Sequence, residues 1–422
     1  MELIKNLFRG DKVVWVIFML LCLISIVEVF SATSTLSFKS GDYWDPIRRH
    51  SLFLIGGALL AFIVQYIPLR TFKLAPLLLI ISWIFLILLL LGLGVEINDG
   101  ARWYNLFGIR FQPSELAKMG LVITTALILS FLQEEKGASP RAFKYILYFA
   151  VPTLALIAPE NLSTALLLGF TIFLMMFIGR IPFRQLGKLT GAVALGVGLF
   201  VIFLVVTPTD TLRKIPVLEK RAPTWQQRIL NFTEKSHKQV PPEEFDIQSK
   251  ENYQTGHASI AISSGHIIGS GPGNSKERDL LPQAFSDFIF AIILEELGLL
   301  PGFGIVFLYI ILLVRTAKIA NKCDKDFPAL LAIGVALLVV IQALVNMMVA
   351  VGLFPVTGQP LPLISRGGTS TILNCIYIGI ILSVSRYNNL QAEKQKALEA
   401  GNLQEVERLE EMDKGMEDRP NT

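Results

Sequence analysis

Apolar blocks of about 18 to 22 residues recur along this chain, parted by short polar turns, and each is long enough to cross roughly 30 Å of hydrocarbon as a helix. The pattern predicts ten spans, at 13–33, 50–67, 75–94, 114–132, 143–158, 164–179, 188–206, 287–314, 328–354 and 370–386. The expected fold class is therefore an all-α polytopic membrane protein of about ten transmembrane helices, with one long loop between helices 7 and 8. Composition agrees: 52% of the 422 residues are hydrophobic and 17% charged, against roughly a quarter charged in soluble domains. Mean hydropathy is +0.55.

Lys and Arg in the short turns set the expected orientation. With the N-terminus inside, the inner turns carry clusters such as Lys5, Arg9 and Lys12, or Arg315, Lys318, Lys322 and Lys325. The outer turns hold only Lys39, Arg48, Arg49, Arg102, Arg110 and Arg366. Both termini then lie in the cytoplasm, and the loop of about 207–286 lies outside. The first span is too long for a cleaved signal peptide and lacks a small-x-small cleavage site. Cys22, Cys323 and Cys375 suggest packing or a reduced thiol, with neither disulfide framework nor zinc spacing. The net charge of +4 restates the positive-inside bias and gives no reason to expect nucleic acid.

Hydropathy shows no tandem or inverted repeat, which argues against a transporter built from two pseudo-symmetric halves. The chain divides into a membrane domain over 1–387 and a charged cytoplasmic tail over 388–422. Leu398, Leu403, Val406 and Leu409 in that tail have the spacing of a weakly amphipathic helix. In the long loop the polar middle, 235–251, is expected to be mobile. From Tyr253 to Gly269, small and apolar residues predict a short helix lying on the membrane face, which would bring the following Gly-rich turn and Asp287 over the bundle.

Candidate chemistry clusters at the expected outer face. Gly269-Ser270-Gly271-Pro272-Gly273-Asn274-Ser275-Lys276 leads to Asp287, at the lip of a span that carries Glu295 and Glu296. Carboxylates at membrane depth are costly and mark functional sites by default. Gln112-Pro113-Ser114-Glu115 places Pro at the first helical position, with Gln112 or Ser114 as candidate caps. Glu115 and Lys118 share a helical face. They read either as a local ion pair or, with Lys118 and Arg102 turned to a ligand, as an anion site. Glu160, in a tight turn before Asn161, needs a partner. The stretch 358–370, with two prolines and paired glycines around Ser365 and Arg366, suits an irregular re-entrant segment, tolerated only where protein buries it or it lines a cavity. His257 and His266 read as packing or surface residues. Together these groups suit a substrate with a lipid tail, an anionic linker and a polar head.

At these residues the chain resembles the SEDS family (shape, elongation, division and sporulation) over roughly residues 12 to 387. The resemblance rests on Gly100-Ala101-Arg102-Trp103; Gln112-Pro113-Ser114-Glu115-x-x-Lys118; Asp287-Phe288-Ile289-Phe290-Ala291 with Glu295-Glu296-Leu297-Gly298; and Leu361-Pro362-x-x-Ser365 with Gly367-Gly368. Gly271-x-Gly273-Asn274-Ser275, with Lys276 and Arg278, resembles the division members more than the elongation members. Three stretches depart from the family pattern. Glu160-Asn161 stands where Pro-Asp is common, Arg366 where an aromatic residue is common, and Ala284-Phe285-Ser286 where a His-Thr approach is usual.

The resemblance implies a peptidoglycan glycosyltransferase that polymerises lipid II, with inversion at the sugar, in septal cell-wall synthesis at the inner membrane. Asp287 would be the general base. Arg102, Lys118 and Arg366 would stabilise the departing pyrophosphate, and Glu115, Glu160, Asn274, Ser275 and Ser365 would complete the substrate site. A divalent cation, Mg²⁺ or Mn²⁺, is compatible with a pyrophosphate substrate, though no dedicated cage is visible. The implied partners are lipid II, a class B penicillin-binding protein transpeptidase and other divisome proteins. An elongation-type polymerase and a lipid II flippase are the alternatives.

Overall fold

A computed structural model describes residues 10–33, 42, 44–97, 100–106, 109–208, 225–226 and 253–414. The stretch 235–251 and the side chain of Arg102 lie outside the described residues. The elements, in chain order, are α1 (Lys12–Ala32), α2 (Asp45–Val64), α3 (Ala75–Leu90), the strands β1 (Val95–Ile97), β2 (Gly100–Leu106) and β3 (Ile109–Phe111), α4 (Pro113–Phe131), α5 (Pro140–Ile157), α6 (Leu162–Ile178), α7 (Phe183–Val206), α8 (Tyr253–Ser264), α9 (Ile289–Leu297), α10 (Leu299–Ala320), α11 (Asp326–Ala350), α12 (Thr369–Glu399) and α13 (Leu403–Lys414).

Among the described residues eight helices are long and apolar enough to cross a membrane, and α6 is a shorter apolar one. The end of the bundle where α1 finishes and α2 begins, here called the outer end, is the one the Lys and Arg pattern leads us to expect outside. There β1, β2 and β3 form a small antiparallel sheet that the apolar pattern did not reveal. It carries the Gly100–Trp103 motif, and Arg110 O accepts from Thr369 Oγ1 at the start of α12, 3.0 Å away.

α11 runs through the middle of the bundle and is apolar almost all round, interrupted at Gln342 and Asn346, because helices surround it. α2 and α12 approach closely through small residues: a Cβ on Gly379 would lie 2.8 Å from the Ala61 carbonyl oxygen. Without a hydrophobic force between helices in lipid, such close packing holds them together. Asp11 caps α1, accepting from Val13 N at 3.0 Å and Val14 N at 3.2 Å. It also pairs with Arg315 Nη2 of α10 at 2.7 Å. Pro113 opens α4 as expected, but neither Gln112 nor Ser114 caps it. The Gln112 side chain donates instead to Ser114 Oγ at 3.0 Å.

The span expected over 287–314 is two helices, and Asp287 does not stand at the head of a crossing helix. The chain breaks at Gly298 (φ 89°, ψ 178°) between α9 and α10. A Cβ on Gly302 would lie 2.2 Å from Leu294 Cδ2 and 3.9 Å from Phe290. In a continuous helix Phe290 and Gly302 would be about 18 Å apart along the axis. The chain therefore doubles back, so α9 climbs from Asp287 to the outer end and α10 makes the crossing. Only Gly fits the corner. An added Cβ at Gly298 would sit 2.5 Å from Gly269 N, in a backbone region closed to other residues. Gly298→Ala is expected to cost about 3 kcal/mol. Thermal unfolding in detergent reads this out, and a wild-type melting temperature would contradict the packing described.

The helix expected after Tyr253 is α8, packed on α9. In the tail α12 runs unbroken past residue 387, and α13 folds back on it. Leu390, Ala397, Val406 and Leu409 form a small separate core, with Lys394 3.3 Å from Glu410.

Candidate functional site

Residues 359–366 cross the outer part of the bundle as irregular backbone, and side chains from the surrounding helices satisfy their carbonyls. Gln359 O accepts from Asn346 Nδ2 of α11 at 2.7 Å. Pro360 O accepts from Gln342 Nε2 of α11 at 3.1 Å. The Tyr309 hydroxyl of α10 donates to Pro362 O. Ile364 O accepts from Ser25 Oγ of α1 at 2.7 Å. The two prolines reduce the number of N–H groups needing partners. Buried Leu363 adopts φ 65°, a strained value for a side chain that size. Irregular backbone this deep persists only when its polar groups are met in this way.

This segment grips the chain on either side of Asp287. Ser365 Oγ donates to Ser286 O at 2.6 Å and accepts from Leu361 N at 2.8 Å. Arg366 N donates to Phe285 O at 3.0 Å. Asn346 Nδ2 also donates to Asp287 O at 2.9 Å, and Ser286 Oγ donates to the Asp287 carboxylate at 2.9 Å. Asp287 itself is half-buried. Gly358 leaves room beside it, since a Cβ there would lie 3.6 Å from Asp287 Oδ2. The Arg366 guanidinium lies over the Phe285 ring, 5.6 Å from its centroid. It is within electrostatic reach of Arg49, Arg110 and Asp45. Arg49 is itself paired with Asp45 at 3.0 Å.

The other sequence-nominated residues fall into three groups. Lys118 is fully buried, 2.7 Å from Glu115 and 3.0 Å from Gln342 Oε1. Its ammonium thus ties α4 to α11, and through Gln342 to Pro360, and presents no face to a ligand in this structure. Glu160 lies beside Asn161, Gln112 and Ser114 around a small crevice between α3, α4 and the turn before α6. Asn161 caps α6 by accepting from Thr164 N at 3.1 Å, and Thr164 Oγ1 accepts from Gln359 Nε2 at 2.7 Å. The turn is thereby joined to the Asp287 segment, with Asn161 in a capping role.

Asn274 and Ser275 belong to a collar over α9. Ser275 Oγ donates to Glu295 at 2.5 Å. Gly273 N, Ser275 N and Ser31 Oγ of α1 donate to Glu296 at 3.1, 3.2 and 2.5 Å. Asn274 is exposed and closes the loop on Ser270 O at 2.9 Å. Glu295 and Glu296 are consequently loop anchors at the far end of α9 from Asp287. A buried carboxylate is tolerable when several donors face it.

Ser25, Tyr309, Gln342, Asn346 and Gln359 act on the site but were not among the sequence candidates. Polar side chains in otherwise apolar helices were the signal, strongest at Gln342 and Asn346. Among the described residues no group of three or more His, Cys, Asp or Glu is placed to hold a metal ion.

A many-helix bundle with an irregular, fully laced segment and a carboxylate near one end defines a multi-pass membrane protein with a one-sided polar site. The chain belongs to the SEDS family: the family model for FtsW, RodA and SpoVE, described as "Cell cycle protein", matches residues 11–390. Among similar proteins, the probable peptidoglycan glycosyltransferase FtsW of Geobacter metallireducens is 31% identical over 390 residues, 90% of this chain and 96% of the relative. That of Pseudomonas fluorescens is 31% identical over 370 residues, 86% and 84%. Two solved structures share the fold at 26% identity. One, described as "Structural coordination of polymerization and crosslinking by a peptidoglycan synthase complex", has a TM-score of 0.68 and covers 90% of this chain and 98% of its own. The rod shape determining protein RodA of Thermus thermophilus has a TM-score of 0.61, covering 91% and 99%.

Proposed function

We propose that this protein is a peptidoglycan glycosyltransferase that polymerises lipid II on the outer leaflet, with Asp287 as general base. The observation that carries the reading is the lacing of a half-buried carboxylate to the irregular segment that ends at Arg366. A sugar hydroxyl is a poor nucleophile near neutral pH, and a carboxylate positioned to take its proton as C–O bond formation proceeds is the usual remedy. Asp287 would accept that proton from the acceptor's 4-hydroxyl. The oxygen would attack C1 of the donor sugar, and the lipid pyrophosphate would leave with the bonding electrons. Arg366, supported by Arg49 and Arg110, would hold the departing phosphates, while the lipid chain stays among the helices. One carboxylate at the reacting carbon fits a single displacement with inversion, by analogy with glycosidases.

The family membership and the FtsW names of the relatives support the activity, and the synthase complex supports a crosslinking partner of the class B penicillin-binding type. The nearer likeness of the Gly271–Ser275 loop to division members favours work at the septum with other divisome proteins. Incubating purified protein with lipid II in detergent, with and without that partner, tests the reading. Glycan strands are expected. Transfer of lipid II across vesicles with no strands under any condition would replace it with a flippase. Arg366→Ala is expected to raise KM for lipid II about tenfold, the loss of one charge-assisted contact. An unchanged KM would remove Arg366 from the substrate site.

A further inference from the structure

His50 in α2 is 1% exposed, and its Nε2 lies 2.8 Å from Ser25 Oγ. Ser25 has one proton, which it gives to Ile364 O. A hydroxyl that donates elsewhere can only accept from the ring, so Nε2 must carry the imidazole proton. Nδ1 is then the unprotonated nitrogen, buried and without a partner among the described residues. A neutral ring tolerates that state better than an imidazolium, which would bury a second N–H with no acceptor. Four bonded steps separate this ring from the carboxylate: His50 to Ser25, Ser25 to Ile364 O, Ile364 through Ser365 and Arg366 to the carbonyls of Ser286 and Phe285, and from there to Asp287.

We infer that His50 is a positioning residue for Asp287, acting as the fixed donor that keeps Ser25 turned toward the re-entrant segment. Without it the Ser25 hydroxyl gains other rotamers, and strained Leu363 next to Ile364 has a route to relax. The segment then no longer fixes Ser365 and Arg366 against the residues before Asp287. Displacement of a base by a fraction of an ångström falls on the chemical step rather than on binding. The kinetic test rests on the polymerase reading above.

His50→Leu is expected to lower kcat about tenfold or more, with any rise in KM for lipid II smaller than that of Arg366→Ala, since the Arg366 side chain is still present. His50→Gln, whose amide N–H can reach Ser25, should recover most of that loss. Ser25→Ala should match His50→Leu, and the double variant should be no slower than Ser25→Ala alone, because both act through one chain of bonds. A kcat for His50→Leu equal to wild type, or losses that add in the double variant, would overturn the inference. Hydrogen exchange of residues 359–366 gives a readout independent of activity. It should quicken in His50→Leu and Ser25→Ala and stay slow in His50→Gln; unchanged exchange in the first two overturns the brace. Wild-type protein that makes no strands would count against the polymerase reading, with exchange then deciding the brace by itself.

Discussion

Asp287→Asn should reduce glycan polymerisation by about 10² to 10⁴, the usual contribution of a positioned general base, while the protein folds and inserts as wild type. The amide has nearly the same shape as the carboxylate and still offers Ser286 Oγ an acceptor oxygen. The bonds that position the residue run to backbone: Asn346 to Asp287 O, Ser365 to Ser286 O and Arg366 N to Phe285 O. None of these depends on the charge, so the melting temperature in detergent should be preserved. What disappears is basicity, because an amide cannot take the hydroxyl proton. Strand synthesis by the variant at the wild-type rate would end the assignment. A large fall in melting temperature would instead mean that the carboxylate holds the fold.

Lys118→Met is the second large effect, and it should appear as lost stability rather than a selective change in KM. The change leaves the Glu115 carboxyl, 4% exposed, without the ammonium it pairs with, and it removes the donor to Gln342. Breaking a buried pair from one side typically costs about 3 to 5 kcal/mol. Removing both charges costs less than removing one, so Glu115→Gln in the Lys118→Met background should recover part of the melting temperature. If the sequence-based reading of Lys118 as a pyrophosphate ligand is correct, Lys118→Met will keep its melting temperature and raise KM. Thermal unfolding alongside lipid II titration separates the two roles. Exposed Arg48, paired with Asp42 at the surface, is the control, and its replacement by Ala should change neither quantity by much.

The Lys118 case shows how far the sequence could be read. Three-residue spacing put Glu115 and Lys118 on one face, and the pair is present at 2.7 Å. Spacing could not say whether that face met substrate or α11. That depended on the packing of a helix more than 200 residues further along the chain. Gln342 and Asn346 were visible as polar interruptions in an apolar helix, yet their acceptors on residues 359 and 360 and on Asp287 are tertiary facts. The Gly-rich stretch was expected together with Asp287 over the bundle, and it lies instead at the other end of α9. Its work is to clamp Glu295 and Glu296, which sequence order alone had set beside Asp287 as site candidates. Nor did composition betray the corner at Gly298, because α9 and α10 are apolar on both sides of it and hydropathy averages across a reversal of direction.

The sequence by itself determined that this chain is a multi-pass helical membrane protein, because burial in lipid requires long apolar segments that satisfy their own backbone. It also marked an irregular segment around Ser365 through its prolines and glycines, and it supplied the family motifs. The tertiary structure alone decided which polar groups meet. A hydrogen bond at membrane depth is made by side chains that share no local periodicity, brought together only when several helices pack. For that reason Ser25, Tyr309 and Asn346, on three different helices, converge on the backbone that holds Asp287, with His50 of a fourth helix bonded to Ser25.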